Sequence, residues 1–279
     1  MAATPKEQAK TSRATSKPVG AIRKLSSWYD KQMSARFNNQ YYGGSDFWNF
    51  GLWDERTADQ KEASANLVQK LLTFIPVKDG RILDVACGLG ATTRQISRYY
   101  PVENITAINI SMLQLARTLS NAPGANVAAM DAARLAFADA SFDNIICVEA
   151  AFHFRTRDQF LREAFRVLKP GGRISLSDIL MVKGAADAVK ENYLKNPEAL
   201  RESIIDIGFE DVRVTEATKE CWGGFAKNMR RWPGRERKAG RISFPVYLAA
   251  KVRCTLYPLL AGLGMKNYVL ISARKPIGS

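Results

Sequence analysis

Between residues 81 and 178, short apolar runs of β character alternate with helical patterns, and that alternation restricts the chain more than any other feature. RILDVAC (81–87), NITAINI (104–110), ANVAAM (125–130), DNIICVE (143–149) and RISLSD (173–178) are the runs. Helical patterns at 91–100, 112–120 and 157–168 separate them, the last closed by the turn signal Lys169-Pro170-Gly171-Gly172. The runs are apolar almost throughout, as strands covered on both faces must be. Further helices are predicted at 21–40, at about 57–74 behind the N-cap signal Thr57-Ala-Asp-Gln, and at 197–208. Two more strands follow at 211–216 and 267–274. The expectation is a doubly wound α/β fold on a seven-stranded, mostly parallel sheet.

The flanks differ from this centre. Residues 1–20 form a polar, basic tail without an apolar h-region, read as disordered, with an organelle transit peptide as the alternative. Residues 21–76 are read as an N-terminal helical and lid segment, 77–217 as the core, 218–264 as a basic helical cap, and 265–279 as the final strand and tail. The net charge of +14 divides unevenly over these parts. Residues 1–40 carry eight Lys/Arg against two acids, 41–217 carry 20 against 23, and 218–253 carry ten against two. An argument about polyanions therefore concerns the flanks and not the core. The four cysteines, Cys87, Cys147, Cys221 and Cys254, are widely spaced and there is one histidine, so neither a disulfide framework nor a metal site is expected. No run reaches about 20 uninterrupted apolar residues. Together these features read as an intracellular, cytoplasmic protein.

The densest chemical signal is ILDVACGLG (82–90), in which a strand ends on an acid, Asp84, and a turn containing Gly88 and Gly90 opens a helix. Glycines let backbone approach a ligand, and the acid can accept hydrogen bonds from an amine or hydroxyl. A dinucleotide fingerprint needs a further glycine where Thr93 stands. Asp84, Gly88 and Gly90 instead resemble motif I of the class I S-adenosylmethionine-dependent methyltransferases. SFDNIICVEAAFHFRTRDQFLREAFRVLKPGGRISLSD (141–178) is similar to that family's later motifs. YYGGSDFWNFGLWDE, AINIS and EAAFHF resemble its small-molecule branch, which includes erythromycin-type sugar O-methyltransferases and, more distantly, sterol- and tocopherol-type enzymes.

The resemblance implies a Rossmann-like core with S-adenosyl-L-methionine as cofactor. Asp84, Ala86, Gly88 and Gly90 would cradle its methionine end, and Asn109 with Ile110 would face the ribose. Asp131 and Ala132 would border the adenine, and Glu149 would line the site. Two positions depart from the family pattern: Ala86 replaces a glycine, and Asn109 replaces an acid and binds hydroxyls more weakly. The bland alternatives are a capping acid at Asp84 and turn residues at Asn109 and Asp131.

A hydroxyl acceptor must lose a proton during methyl transfer. His153, just past the fourth strand, lies at the carboxyl edge where ligands bind such sheets. With an ordinary pKa near ~6.5 it suits a general base, and Asp178, just past the fifth strand, is the candidate partner. The alternatives are a histidine packed between Phe152 and Phe154 and an acid that caps a turn. Tyr41, Tyr42 and Trp53, in a glycine-rich aromatic segment, together with Phe154, are expected at the lid and acceptor site, with plain core as the alternative. The expected acceptor is a lipophilic small molecule methylated on a hydroxyl, with C-methylation of an isoprenoid, sterol or fatty chain as the second reading. For 218–264, an acceptor cap, a peripheral membrane-surface patch and a solvated helix face stay open. Nucleic acid is not expected: no Asn-Pro-Pro-Tyr or Pro-Cys segment of the base-modifying families occurs.

Overall fold

The sheet runs through the middle of the protein with strand order β3-β2-β1-β4-β5-β7-β6. The computed structural model describes residues 19–185 and 189–278; most of the expected basic tail, residues 1–18, lies outside them. Five parallel strands carry the expected runs: β1 (Ile82–Val85), β2 (Ile105–Asn109), β3 (Asn126–Ala129), β4 (Phe142–Val148) and β5 (Leu168–Met181). The sheet is completed by β6 (Glu210–Glu216) and β7 (Met265–Arg274), the latter antiparallel to both β5 and β6. β1 and β2 are buried along their whole length, which their unbroken apolar pattern demanded.

β5 is longer than its apolar run. Leu168 already pairs with Phe142, and the far end pairs with β7 as far as Met181. The Lys-Pro-Gly-Gly turn is drawn into this edge because Lys275 N–H donates to Gly172 and Gly171 N–H donates to Lys275.

The helices begin where side chains can satisfy the free N–H groups of a first turn. α1 (Val19–Ser34) and α2 (Arg36–Tyr41) divide the expected 21–40 helix at Ala35, whose backbone is extended. Asp59 caps α3 (Gln60–Thr73), and α4 (Ala91–Ile96) follows the β1 turn. Ser111 caps α5 (Met112–Asn121), and Thr156 and Gln159 form a capping box on α6 (Arg157–Val167). Asn196 caps α7 (Pro197–Ile207), which Gly208 ends in the left-handed conformation. Between β6 and β7 the chain makes α8 (Gly224–Lys238) and α9 (Phe244–Gly264).

Two apolar layers sandwich the sheet. On one side Leu67, Leu71 and Leu72 of α3 pack with Tyr41, Phe225 and Trp232. On the other, Phe160 and Ala164 of α6 pack with Leu200 and Ile204 of α7. The order of strands reverses between β1 and β4, and at that point the carboxyl ends of the strands leave a crevice.

Candidate active site

Two cavities meet above the crevice. The first is lined by the β1 turn (Asp84, Ala86, Cys87, Gly88, Leu89), the β2 end (Asn109, Ile110), Asp131, Ala132 and Phe154. The second, of about 720 Å³, is lined by Trp28, Tyr42, Phe50, Met181, Trp222 and the last turns of α9. Tyr29, Trp48, Asn49, Glu149 and His153 border both.

The β1 turn is shaped for close approach. Gly88 has φ +57, and a side chain there would meet only Met33 Cε at 3.8 Å, so its backbone faces the cavity. Gly90 does not line the cavity. At φ +86 a Cβ would stand 2.6 Å from Thr118 Cα, so this glycine lets α4 and α5 close together. Ala86 adopts φ +58, a conformation that a glycine would hold without strain.

Asp84 is buried and accepts from Thr93 Oγ1 at 2.7 Å, a bond to a side chain within α4 and not to a free N–H of its first turn. Burial pushes its carboxyl up to about 7. Asn109 receives Ser111 N–H at 3.0 Å and donates to Gln114 at 2.9 Å. An acid does reach this corner: Asp30, on α1, accepts from Ser111 Oγ at 2.8 Å and Gln114 Nε2 at 2.7 Å. Asp131 lines the cavity and also makes a local turn, accepting from Ala133 N–H at 2.9 Å.

Glu149 sits at the junction with φ +50, accepting from Phe50 N–H at 2.8 Å and Tyr268 Oη–H at 2.6 Å. Burial pushes its carboxyl up to about 8. His153 ends a 3-10 turn, Ala151–His153, with its Nε2 2.6 Å from Tyr29 Oη and its ring against Phe152.

Asp178 is engaged elsewhere. Oδ2 takes the buried Arg157 guanidinium, and Oδ1 takes Phe152 N–H at 2.9 Å. Asp178 therefore bears on His153 through the backbone of the turn that carries it. Of the aromatic residues expected at the lid, Tyr42 borders the second cavity, whereas Tyr41 and Trp53 border neither. Tyr41 is core, stacked edge-on to Phe225 and Trp232 and bonded to Gln60 and Asn228. Trp53 packs on Gly224, where any side chain would collide with its ring.

Three residues in and beside this site carry no signal in the sequence. Tyr29 is one of two adjacent aromatics on α1, Asp30 one acid on a polar helix, and Asn49 one polar residue in an aromatic run. Asn49 is buried, and its Oδ1 has no hydrogen-bond partner. A buried acceptor left open between two cavities is a place for a ligand's N–H or O–H.

The Methyltransferase domain family matches residues 83–176. The 27-O-demethylrifamycin SV methyltransferase of Amycolatopsis mediterranei is 29% identical over 245 residues, 81% of this chain and 89% of that one. The O-methyltransferase rstn1 of Aspergillus nomiae is 32% identical over 163 residues, 55% of this chain and 68% of that one. The chain belongs to the class I S-adenosylmethionine-dependent methyltransferases, in their small-molecule branch.

The fold of this methyltransferase is also that of the [4+2]-cyclase SpnF, at a TM-score of 0.69 and 24% identity, covering 92% of this chain and 97% of that one. Solved neighbours of the fold hold S-adenosylmethionine or S-adenosylhomocysteine, and the methyl donor here is S-adenosylmethionine. The residues suit that group. The bare face of Gly88, the buried Asp84 carboxyl and the open Asn49 acceptor together offer backbone contact, a counter-charge and a hydrogen bond to a cationic amino acid moiety.

Proposed function

We propose that this methyltransferase methylates a hydroxyl of a lipophilic small molecule and that His153 takes the hydroxyl's proton. The observation that carries the reading is the 2.6 Å contact between His153 Nε2 and Tyr29 Oη where the two cavities join. Bound S-adenosylmethionine supplies an electrophilic methyl on a sulfonium. Asp84, Ala86 and Gly88 would hold its methionine end, with Gly90 setting the turn. Asn109 and Ile110 would hold the ribose, and Asp131 and Ala132 the adenine. Glu149, Trp48 and Asn49 form the wall between donor and acceptor.

The mostly apolar residues of the second cavity favour a lipophilic acceptor, with Tyr42 among the rings around it, whereas Phe154 lines the first cavity alone. Tyr29 Oη, 2.6 Å from Nε2, orients the imidazole that takes the proton. Asp178, by holding Phe152 N–H, fixes the turn on which His153 sits, so it is a positioning residue. The relatives' names support oxygen as the methylated atom: one is a 27-O-demethylrifamycin methyltransferase and one an O-methyltransferase.

The test is mass spectrometry of lipophilic extracts incubated with enzyme and labelled S-adenosylmethionine, followed by NMR of the product. A new O-methyl resonance is expected. A C-methyl product would move the chain to the second reading, in which His153 removes a proton after addition to an isoprenoid, sterol or fatty chain. His153→Ala should lower kcat on the order of a hundredfold or more with S-adenosylhomocysteine binding retained. Near-full turnover would remove His153 from the chemistry.

A further inference from the structure

α9 leaves much of its apolar surface exposed. It runs 21 residues without an acid, is long and apolar enough to cross a membrane by length and composition, and buries only Ala250, Cys254 and Pro258. Most of its other residues are exposed. Leu248, Val252, Leu256, Leu259 and Leu263 recur every three or four residues, so they form one stripe along the helix, each about half exposed or more. Val252 is 60% exposed and Leu263 76%. A helix that serves only as core buries its apolar stripe, whereas this one turns it to the outside.

Two neighbouring features say what covers that stripe. The first is charge. Residues 218–253 hold ten Lys/Arg and two acids, and on α8, packed along α9, Lys227, Arg230, Arg231, Arg237 and Lys238 are exposed. Apolar side chains beside a basic face match the boundary between headgroups and acyl chains in an anionic bilayer. A second copy of the chain matches less well, since a self-contact would bring two such basic segments together.

The second feature is continuity with the active site. Tyr257, Leu260, Ala261 and Leu263, on the last turns of α9, line the second cavity, which Glu149 and His153 also line. One helix thus forms both the exposed stripe and part of the acceptor cavity's wall.

We infer that α9 lies in the headgroup region of an anionic lipid bilayer and that the acceptor enters the second cavity from that bilayer. This deepens the proposed function and rests on its lipophilic acceptor. The hydroxyl end of a membrane-dissolved molecule would reach the junction while its apolar body stays between α9, Met181 and Trp222.

The test uses the intact chain with vesicles of phosphatidylcholine alone or mixed with phosphatidylglycerol. Binding should be about ten-fold or more tighter to the mixed vesicles and should weaken with salt. A triple variant, Leu248→Gln with Val252→Gln and Leu256→Gln, alters exposed residues outside both cavities. It should lose vesicle binding by about ten-fold or more while S-adenosylhomocysteine affinity stays within about two-fold. No binding to mixed vesicles, or equal binding by the triple variant, overturns the inference. So does a dimer in sedimentation that the triple variant dissolves without any vesicle binding. Methylation of long-chain and prenyl alcohols in detergent micelles separates the two claims. Turnover there without vesicle binding removes the bilayer and leaves the hydroxyl reading, and vesicle binding with a C-methyl product does the reverse.

Discussion

Asp84 is buried and Glu149 partly so, and burial makes each hold its proton more tightly than an exposed acid does, up to about 7 and about 8. The consequence for stability has a definite sign. Below about pH 3 both groups are largely protonated whether the chain is folded or not. As pH rises, the unfolded chain ionises them freely and the folded chain resists. The ligand-free protein should therefore lose stability, on the order of a few kcal/mol, between about pH 4 and pH 8. Glu149→Gln should flatten the upper part of that slope in thermal melts taken across pH. A cationic donor favours the ionised Asp84, so affinity for S-adenosylmethionine should rise as pH passes through about 7. Asp84→Asn should weaken binding at pH 8 by about ten-fold or more and remove the pH dependence, read by calorimetry. Gly90 tests the turn itself. Gly90→Ala meets both a left-handed φ and Thr118 Cα at 2.6 Å, and should cost roughly 2 kcal/mol or more in denaturant unfolding.

Elements meet at Asp178. It lies within β5, paired with Val269, and not past the strand's end as the apolar run implied; it grips Arg157 at the start of α6 and holds Phe152 N–H in the turn after β4. Arg157 in turn donates to the carbonyls of Asn192 and Ile179, so three segments share one buried ion pair. Removing one partner of such a pair leaves a charge stranded in the core. Arg157→Ala should thus destabilise the fold by about 3–5 kcal/mol. Asp178→Asn keeps the shape and should lower kcat more than it changes KM, because the His153 turn loosens. A kcat unchanged in a well-folded Asp178→Asn enzyme would leave Asp178 as a structural residue alone. At the N-terminal side, α1 reaches across the crevice. Tyr29, Asp30 and Met33 bring it onto His153, the β2 end and Gly88. α1 and residues 47–49 thus line the first cavity, while Tyr41 and Trp53 from the same aromatic run pack against α8.

For the whole molecule, the net charge of +14 belongs to the flanks, and the structure puts most of the 218–253 share on α8, which packs along α9. The strands, their mostly parallel arrangement and the glycine turn at Asp84 were legible in the sequence because unbroken apolar runs, N-caps and positive-φ glycines are local signals. The extent of β5 was not, since its extra residues are recruited by antiparallel pairing with β7, nearly 100 residues later. Nor was the meeting of Tyr29 with His153, 124 residues apart, or the capture of Asp178 by Arg157. Those contacts depend on how α1 and α6 pack against the sheet, and no periodicity records which polar side chains will face each other. The sequence by itself determined the doubly wound core and the methyl-donor chemistry. Only the tertiary structure decided which groups stand around the acceptor, because that follows from packing between segments distant in the chain.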